Sequence, residues 1–335
     1  MIKSIDISSF GPINHLECDN LGQINLFIGH NGCGKTFLLK ALYASLKTIE
    51  AYKRGKEHRS EKEILADKLY WTFQTPTLGE LVKKGDNLLH FSLKSDRDEQ
   101  FAFSFGNSTT RSISAIENTF APKSDNTIFL PAKEILSIRD IILEARENFT
   151  AFGFDDAYYD LAKALRPTTK GRNVKSFADA RRKLGDAIGG RIGYDEKQKS
   201  WFFYGENNKK FDLSITSEGI KKISILDALL GNHYLAKGSI VIIDEVEANL
   251  HPEMITRFMD IVYQLAKGGL QFFITSHSYF VIKKLYVLAK QHNISIPTWS
   301  FDGGTAARYD LHEEMPDNPI VNESIRLYKE EIGAL

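Results

Sequence analysis

Residues Gly29-His30-Asn31-Gly32-Cys33-Gly34-Lys35-Thr36 decide how the rest of the chain is read. A short apolar run, Ile24-Asn25-Leu26-Phe27-Ile28, precedes them, and Phe37-Leu38-Leu39-Lys40-Ala41-Leu42 follows with the spacing of a helix. Strand, glycine-rich loop and helix in that order make a phosphate-binding P-loop. The glycines let the backbone curl so that successive N–H groups face a polyphosphate. The helix that starts at the loop's end adds its positive dipole end. On this reading Asn31, Gly32, Cys33, Gly34, Lys35 and Thr36 line the phosphates. Lys35 reaches the β- and γ-phosphates, and the Thr36 hydroxyl ligates Mg²⁺.

The composition is that of an ordinary soluble globular protein. The chain has 335 residues, 42% hydrophobic and 26% charged, enough for one large domain or two modest ones. Its formal net charge is zero, so any nucleic-acid contact has to come from a local patch. The two cysteines are Cys18 and Cys33, the second inside the P-loop. That excludes a disulfide scaffold and a cysteine-based zinc site, and it fits a reducing compartment. The first residues, Met1-Ile2-Lys3-Ser4-Ile5-Asp6-Ile7, alternate like a strand and carry no signal-peptide core. No run approaches the roughly 18 apolar residues of a membrane span. The expectation is a cytoplasmic protein without a membrane segment.

Outward from the P-loop, residues 2–9 read as a half-buried strand and Phe10 to Asn14 as a turn. The stretch from Lys53 to Glu63 is densely charged and reads as a solvated helix end and loop. Leu88 to Leu93 and Phe101 to Phe105 form a hairpin, and Thr127-Ile128-Phe129-Leu130 is a strand stopped by Pro131. Residues 134–190 have helical periodicity. Within them Lys163, Arg166, Lys170, Arg172, Lys175, Arg181, Arg182 and Lys183 make a basic cluster relieved only by Asp179. Its default reading is a solvated helical face, and it is also the best local candidate for phosphate-backbone contact. Arg191 to Tyr194 and Trp201 to Tyr204 form a second hairpin. A helix from about Ser217 to Leu230, a buried strand at 239–243, a helix at 252–267, a buried strand at 270–274 and a helix at 278–292 follow. Trp299 to Phe301 and Ala307 to Leu311 read as small edge strands, and a last helix begins near Asn318. The alternation gives an α/β fold with a mostly parallel core sheet, an antiparallel β piece and a helical lobe. The expected division is one composite domain: an N-terminal lobe over 1–133, a helical insertion over 134–190 and a C-terminal lobe over 191–335.

Two further motifs carry chemistry. Ile240-Val241-Ile242-Ile243 ends in Asp244 and Glu245. At the C-terminal edge of a parallel sheet, Asp244 can hold Mg²⁺ beside a P-loop, and Glu245 can act as the general base on the attacking water. Thr275-Ser276-His277-Ser278 closes the next buried strand and offers His277 to a γ-phosphate. Ser217-Glu218-Gly219 opens a helix whose N-terminus is another anion-binding surface, or a serine N-cap with its glycine.

The order of these motifs resembles the ABC-type ATPases, in their soluble branch. That branch holds the structural-maintenance-of-chromosomes (SMC) heads, the double-strand-break-repair ATPases and the overcoming-lysogenization-defect (OLD) proteins, with stand-alone AAA15/AAA21-type members. The resemblance implies that Gly29 to Thr36 are Walker A and that Asp244 and Glu245 are Walker B and the catalytic glutamate. It further implies that Glu247-Ala248-Asn249-Leu250-His251-Pro252 are the D-loop region, that His277 is the switch histidine and that Ser217 and Gly219 are the signature motif. ATP and Mg²⁺ are the implied cofactors. The implied assembly is a head-to-tail homodimer, or a higher assembly, with two ATP molecules sandwiched so that each signature serine meets its partner's γ-phosphate.

The chain departs from the family pattern in three places. The signature reads Ser-Glu-Gly, which argues against a membrane transporter. No Q-loop glutamine is visible, and Lys133 or Glu134 stands in its place. The interval from Thr36 to Ser217 lacks the heptads of long coiled-coil arms, and after residue 300 too little chain remains for a Toprim nuclease. Two functions stay open. One is an ATP-driven switch that controls a separate effector, a nuclease or toxin, in bacterial anti-phage defence. The other is a DNA-engaging repair or remodelling ATPase using the 163–183 basic cluster.

Overall fold

A computed structural model of the protein describes residues 1–166, 174–195, 197, 198 and 200–334. In chain order it forms β1 (Ile2–Phe10), β2 (Ile13–Cys18), β3 (Ile24–Gly29), α1 (Lys35–Ala51), α2 (Glu61–Phe73), β4 (Leu88–Ser95), β5 (Gln100–Gly106), β6 (Ala115–Asn118) and β7 (Thr127–Leu130). There follow α3 (Arg139–Glu147), α4 (Asp156–Ala164), α5 (Lys175–Ile188), β8 (Gly190–Asp195), β9 (Ser200–Gly205), β10 (Lys210–Asp212) and α6 (Glu218–Gly231). The chain ends through β11 (Ile240–Ile243), α7 (Pro252–Lys267), β12 (Gln271–Ser276), α8 (Tyr279–His292), β13 (Pro297–Asp302), β14 (Thr305–Asp310) and α9 (Pro319–Ala334). The fold is α/β. It divides into two units, Met1–Ser124 with Phe273–Leu335, and Asp125–Phe272.

In the first unit, every residue of β3 is buried, as a strand covered on both faces requires. It pairs in parallel with β13, Phe27 opposite Trp299 and Gly29 opposite Phe301. The Phe27 ring stacks on Trp299 at 5.3 Å and lies parallel to Phe273 at 6.5 Å. A side chain at Gly29 would put its Cβ 2.6 Å from the Phe301 carbonyl oxygen, and the residue has φ +145°, so only glycine allows this pairing to run to the start of the loop. A separate antiparallel sheet has the order β2-β1-β4-β5-β6. Its apolar face carries Phe91 and Phe103, and Phe10 brings Phe37 of α1 and Phe73 of α2 onto it. Helix α1 is buried along most of its length, and its buried Lys47 and Glu50 pair at 2.8 Å.

In the second unit, β7 and β11 pair in parallel from Thr127↔Ile240 to Leu130↔Ile243, both wholly buried. Helices α3 to α5 follow β7. Buried Asp156 on α4 is paired to Arg146 on α3, and Arg181 on α5 donates to buried Asp227 on α6 at 2.8 Å. The hairpin β8–β9 gains β10 to make a three-stranded antiparallel sheet.

The structure corrects the sequence reading in two places. β13 is no edge strand: it lies between β3 and β14, with its first five residues buried, because its hairpin with β14 leaves its other side free to pair with β3. The charged stretch up to Glu63 contains the start of a helix. Ser60 and Glu63 form a capping box, and Ile64, Leu65 and Leu69 are buried behind it. Trp299→Ala should therefore cost about 3–5 kcal/mol in urea unfolding, the loss expected of a core aromatic and not of an edge residue.

Candidate functional site

The candidate residues fall into two groups, one in each unit. In the first unit the P-loop runs from the end of β3 into α1. Gly34 sits in the left-handed region at φ 104° and starts α1, whose first turn carries no acidic residue. Asn31, Gly32 and Thr36 are exposed, Cys33 is half-buried, and Lys35 is 5% exposed. The Lys35 ammonium donates to the carbonyls of His30 at 2.7 Å and Gly29 at 3.0 Å, and to Cys33 Sγ at 3.4 Å. A cation held by loop oxygens at the positive end of a helix without acids fits a polyphosphate, whose oxygens can take over those bonds. His277 follows β12, the neighbour of β3 in the sheet. It is half-buried, and beside it Ser278 N donates to Ser276 Oγ at 3.0 Å.

In the second unit, Asp244 and Glu245 follow directly on β11. Asp244 is buried, and its N–H donates to Leu130 O at 3.0 Å, one step beyond the β7–β11 ladder. Glu245 is half-buried and has φ +46°, a conformation that few residues other than glycine adopt. Its carbonyl accepts from Ala248 N at 2.9 Å and from Lys222 Nζ at 2.7 Å. Asn249, at φ +64°, continues the turn, and His251 Nδ1 accepts from Glu253 N to cap α7. Among the described residues no cluster of three or more His, Cys, Asp or Glu side chains forms a metal cage. A Mg²⁺ site built from one hydroxyl, one carboxylate and phosphate oxygens needs none.

Ser217 is the N-cap of α6 and is exposed; its Oγ accepts from Ile220 N at 3.4 Å. Gly219 lies against the turn after β11, where an added Cβ would stand 2.6 Å from Asn249 O. The same turn of α6 carries two lysines for which the sequence reading gave no role. Lys221 is buried, bound to Glu218 at 2.9 Å and to buried Glu134 at 3.5 Å. Burial pulls its ammonium down, and the two carboxylates outweigh burial and hold it above the usual lysine range. Lys222 is buried, and desolvation brings it down to about 8 against the pull of Glu247, Asp244 and Glu245. Tyr158 on α4 is pushed up to about 12 by burial and by the charges of Asp155 and Asp244. A signal for the lysines was present: two adjacent cations one turn into a helix whose remaining buried residues are mostly apolar.

Glu134, one of the two residues in the Q-loop's place, is spent on Lys221 and on Ser137 N; Lys133 is exposed. Within the basic cluster, Arg181 is bound to Asp227 and Arg182 to Asp179. Lys163, Arg166, Lys175 and Lys183 are exposed, and Lys170 and Arg172 lie outside the described residues.

The family model "AAA domain, putative AbiEii toxin, Type IV TA system" matches residues 24–283. The SMC head bound to the C-winged helix domain of ScpA is similar in structure, with TM-score 0.53 and 13% identity over 92% of this chain and 97% of that one. An SMC head with an extended coiled coil, bound to the C-terminal domain of ScpA derived from Pyrococcus furiosus, gives TM-score 0.50 and 11% identity over 98% of both chains. These likenesses establish an ABC-ATPase-type P-loop head fold. The Methanocaldococcus jannaschii protein named "Uncharacterized protein MJECL10" is 40% identical over 52 residues, 16% of this chain. That match spans about a quarter of the relative's length, 24%. No described helix is long and apolar enough to cross a membrane.

The buried lysine beside Glu245 sets a pH dependence. Its folded value of about 8 lies below the ordinary 10.5, so between those values the unfolded chain binds more protons and stability rises with pH. In urea unfolding, the wild type should gain stability relative to Lys222→Met as pH is raised from 8 towards 10, with no such relative gain below pH 7.

Proposed function

Because the chain belongs to the AAA_21 family of P-loop ATPase domains, we propose that it is an ATP-hydrolysing dimeric switch that controls a separate effector, a nuclease or toxin, in bacterial anti-phage defence. The observation that carries the ATPase reading is the Lys35 ammonium, buried and, among the described residues, bound to loop acceptors at the acid-free N-terminus of α1. ATP is the substrate, held through its phosphates by the backbone from Asn31 to Thr36 and by Lys35. Mg²⁺ would neutralise charge on the phosphates; the Thr36 hydroxyl is the ligand the P-loop offers it, and Asp244 is the carboxylate offered after β11. Glu245 orients the attacking water and takes its proton, and His277 hydrogen-bonds the γ-phosphate.

A dimer is supported by the second helix N-terminus. Ser217 caps α6 and is exposed in the single chain, so the surface it makes with Gly219 is open to another copy's nucleotide. Two such contacts make a closed two-fold pair, which loosens when the γ-phosphate leaves. The effector reading takes support from the similar SMC heads, whose structures hold domains of ScpA as bound partner chains. The DNA-engaging alternative is weakened by the spending of Arg181 and Arg182 on Asp227 and Asp179.

Lys35→Ala should abolish ATP binding in isothermal titration while leaving the fold intact by circular dichroism. Glu245→Gln should retain binding, lower turnover by about 10²-fold or more, and hold an ATP-dependent dimer in size-exclusion chromatography. Turnover by Glu245→Gln at the wild-type rate would remove Glu245 from the role of base. Hydrolysis stimulated by DNA, with a steep loss as salt is raised, would favour the DNA-engaging reading instead.

A further inference from the structure

The first two turns of α6 are tied to the ends of both strands of the β7–β11 pair. Lys221 reaches Glu134, beyond β7, and Lys222 reaches the Glu245 carbonyl, beyond β11. Gly219 closes the same contact by steric fit against Asn249. Ser217 lies at the start of that turn and is held to it through its backbone oxygen, which accepts from Lys221 N at 3.1 Å. A continuous set of bonds thus runs from the exposed signature serine to the backbone of the candidate base within one chain.

Glu245 needs such a set. Its φ of +46° lies in a region that L side chains avoid, and it persists only where the surroundings hold it. Asp244 N is fixed on Leu130 O, ahead of Glu245. Behind it, the carbonyl uses both lone pairs, one on Ala248 N and one on Lys222 Nζ. Rotation about the N–Cα bond of Glu245, which sets φ, would swing its side chain and its carbonyl together and break the bond to Lys222.

From this geometry we infer, granted the ATPase reading above, that Lys222 is a positioning residue: it locks Glu245 in its left-handed conformation and links that conformation to the signature end of α6. Lys222 acts through the Glu245 carbonyl. Closure of a partner's nucleotide on Ser217 is passed through the first turns of α6 and Lys222 to Glu245, so nucleotide capture at one site sets the base of the other.

The test uses the full chain. Lys222→Met is expected to lower kcat at least tenfold, leaving KM and the affinity for ATP within about twofold. Lys222→Gln keeps an N–H donor and is expected to recover part of that loss. In the Glu245→Gln background, Lys222→Met should still form the ATP-dependent dimer, because Lys222 acts on the base and not on closure. A structural role would move binding, dimerisation and turnover together, and that result overturns the inference. So does turnover by Lys222→Met at the wild-type rate, or failure of both Lys222 variants to fold, which would assign the lysine to the fold alone. An inactive wild type would overturn the ATPase reading itself, whereas an active wild type with an unaffected Lys222→Met overturns only this inference.

Discussion

Two parallel strand pairs, β3 with β13 and β7 with β11, buried throughout except at the last residue of β13, determine where the chain can be polar. Inside such strands both faces meet apolar neighbours, and an unpaired polar side chain there is costly. The first positions free of that constraint are the residues just past the C-terminal ends. The P-loop leaves Gly29 at one such end, and Asp244 with Glu245 leaves Ile243 at another. Ligand sites collect at this edge of α/β sheets for that reason. Gly29 shows how tight the constraint is, since the loop starts where the Phe301 carbonyl comes too close for any side chain.

Charge is distributed to suit an anionic ligand. The helix that follows the P-loop has no acid in its first turn, so nothing cancels its dipole. The helix that starts at Ser217 does carry an acid, Glu218, but Lys221 takes it at 2.9 Å. The carboxylates after β11 have a buried cation of their own in Lys222.

Much of this was legible in the sequence, because local chemistry dictated it. Glycine spacing marked the P-loop, β-branched runs marked the buried strands, and Pro252 marked the first residue of α7. The capping box at Ser60 and Glu63 was also local and was hidden by the charges around it. β13 was misread because a strand's neighbours are a long-range property: the run at 297–302 does not reveal that β3 lies on its far side. For Lys221, Lys222 and Glu134 the reason is the same. Their partners lie up to 87 positions away in sequence, as residue 134 does from residue 221, and only the packing of α6 on two strand ends brings them together.

The placement of Lys222 is hard to explain by stability. A buried ammonium is desolvated at a cost that its partners rarely repay in full, and an apolar chain of similar length often packs at least as well. Among the neighbouring buried positions of α6, Ile223, Ile225 and Leu226 follow that preference, whereas Lys221 and Asp227 are charged and each has a side-chain ion pair. Three carboxylates act on Lys222 electrostatically, yet its hydrogen bond goes to a main-chain carbonyl. A bond of that kind does more than balance charge: it fixes the orientation of one peptide plane. That plane belongs to a residue whose backbone is strained and whose side chain is the proposed base. Orientation of Glu245 therefore accounts for the lysine where packing and charge balance do not.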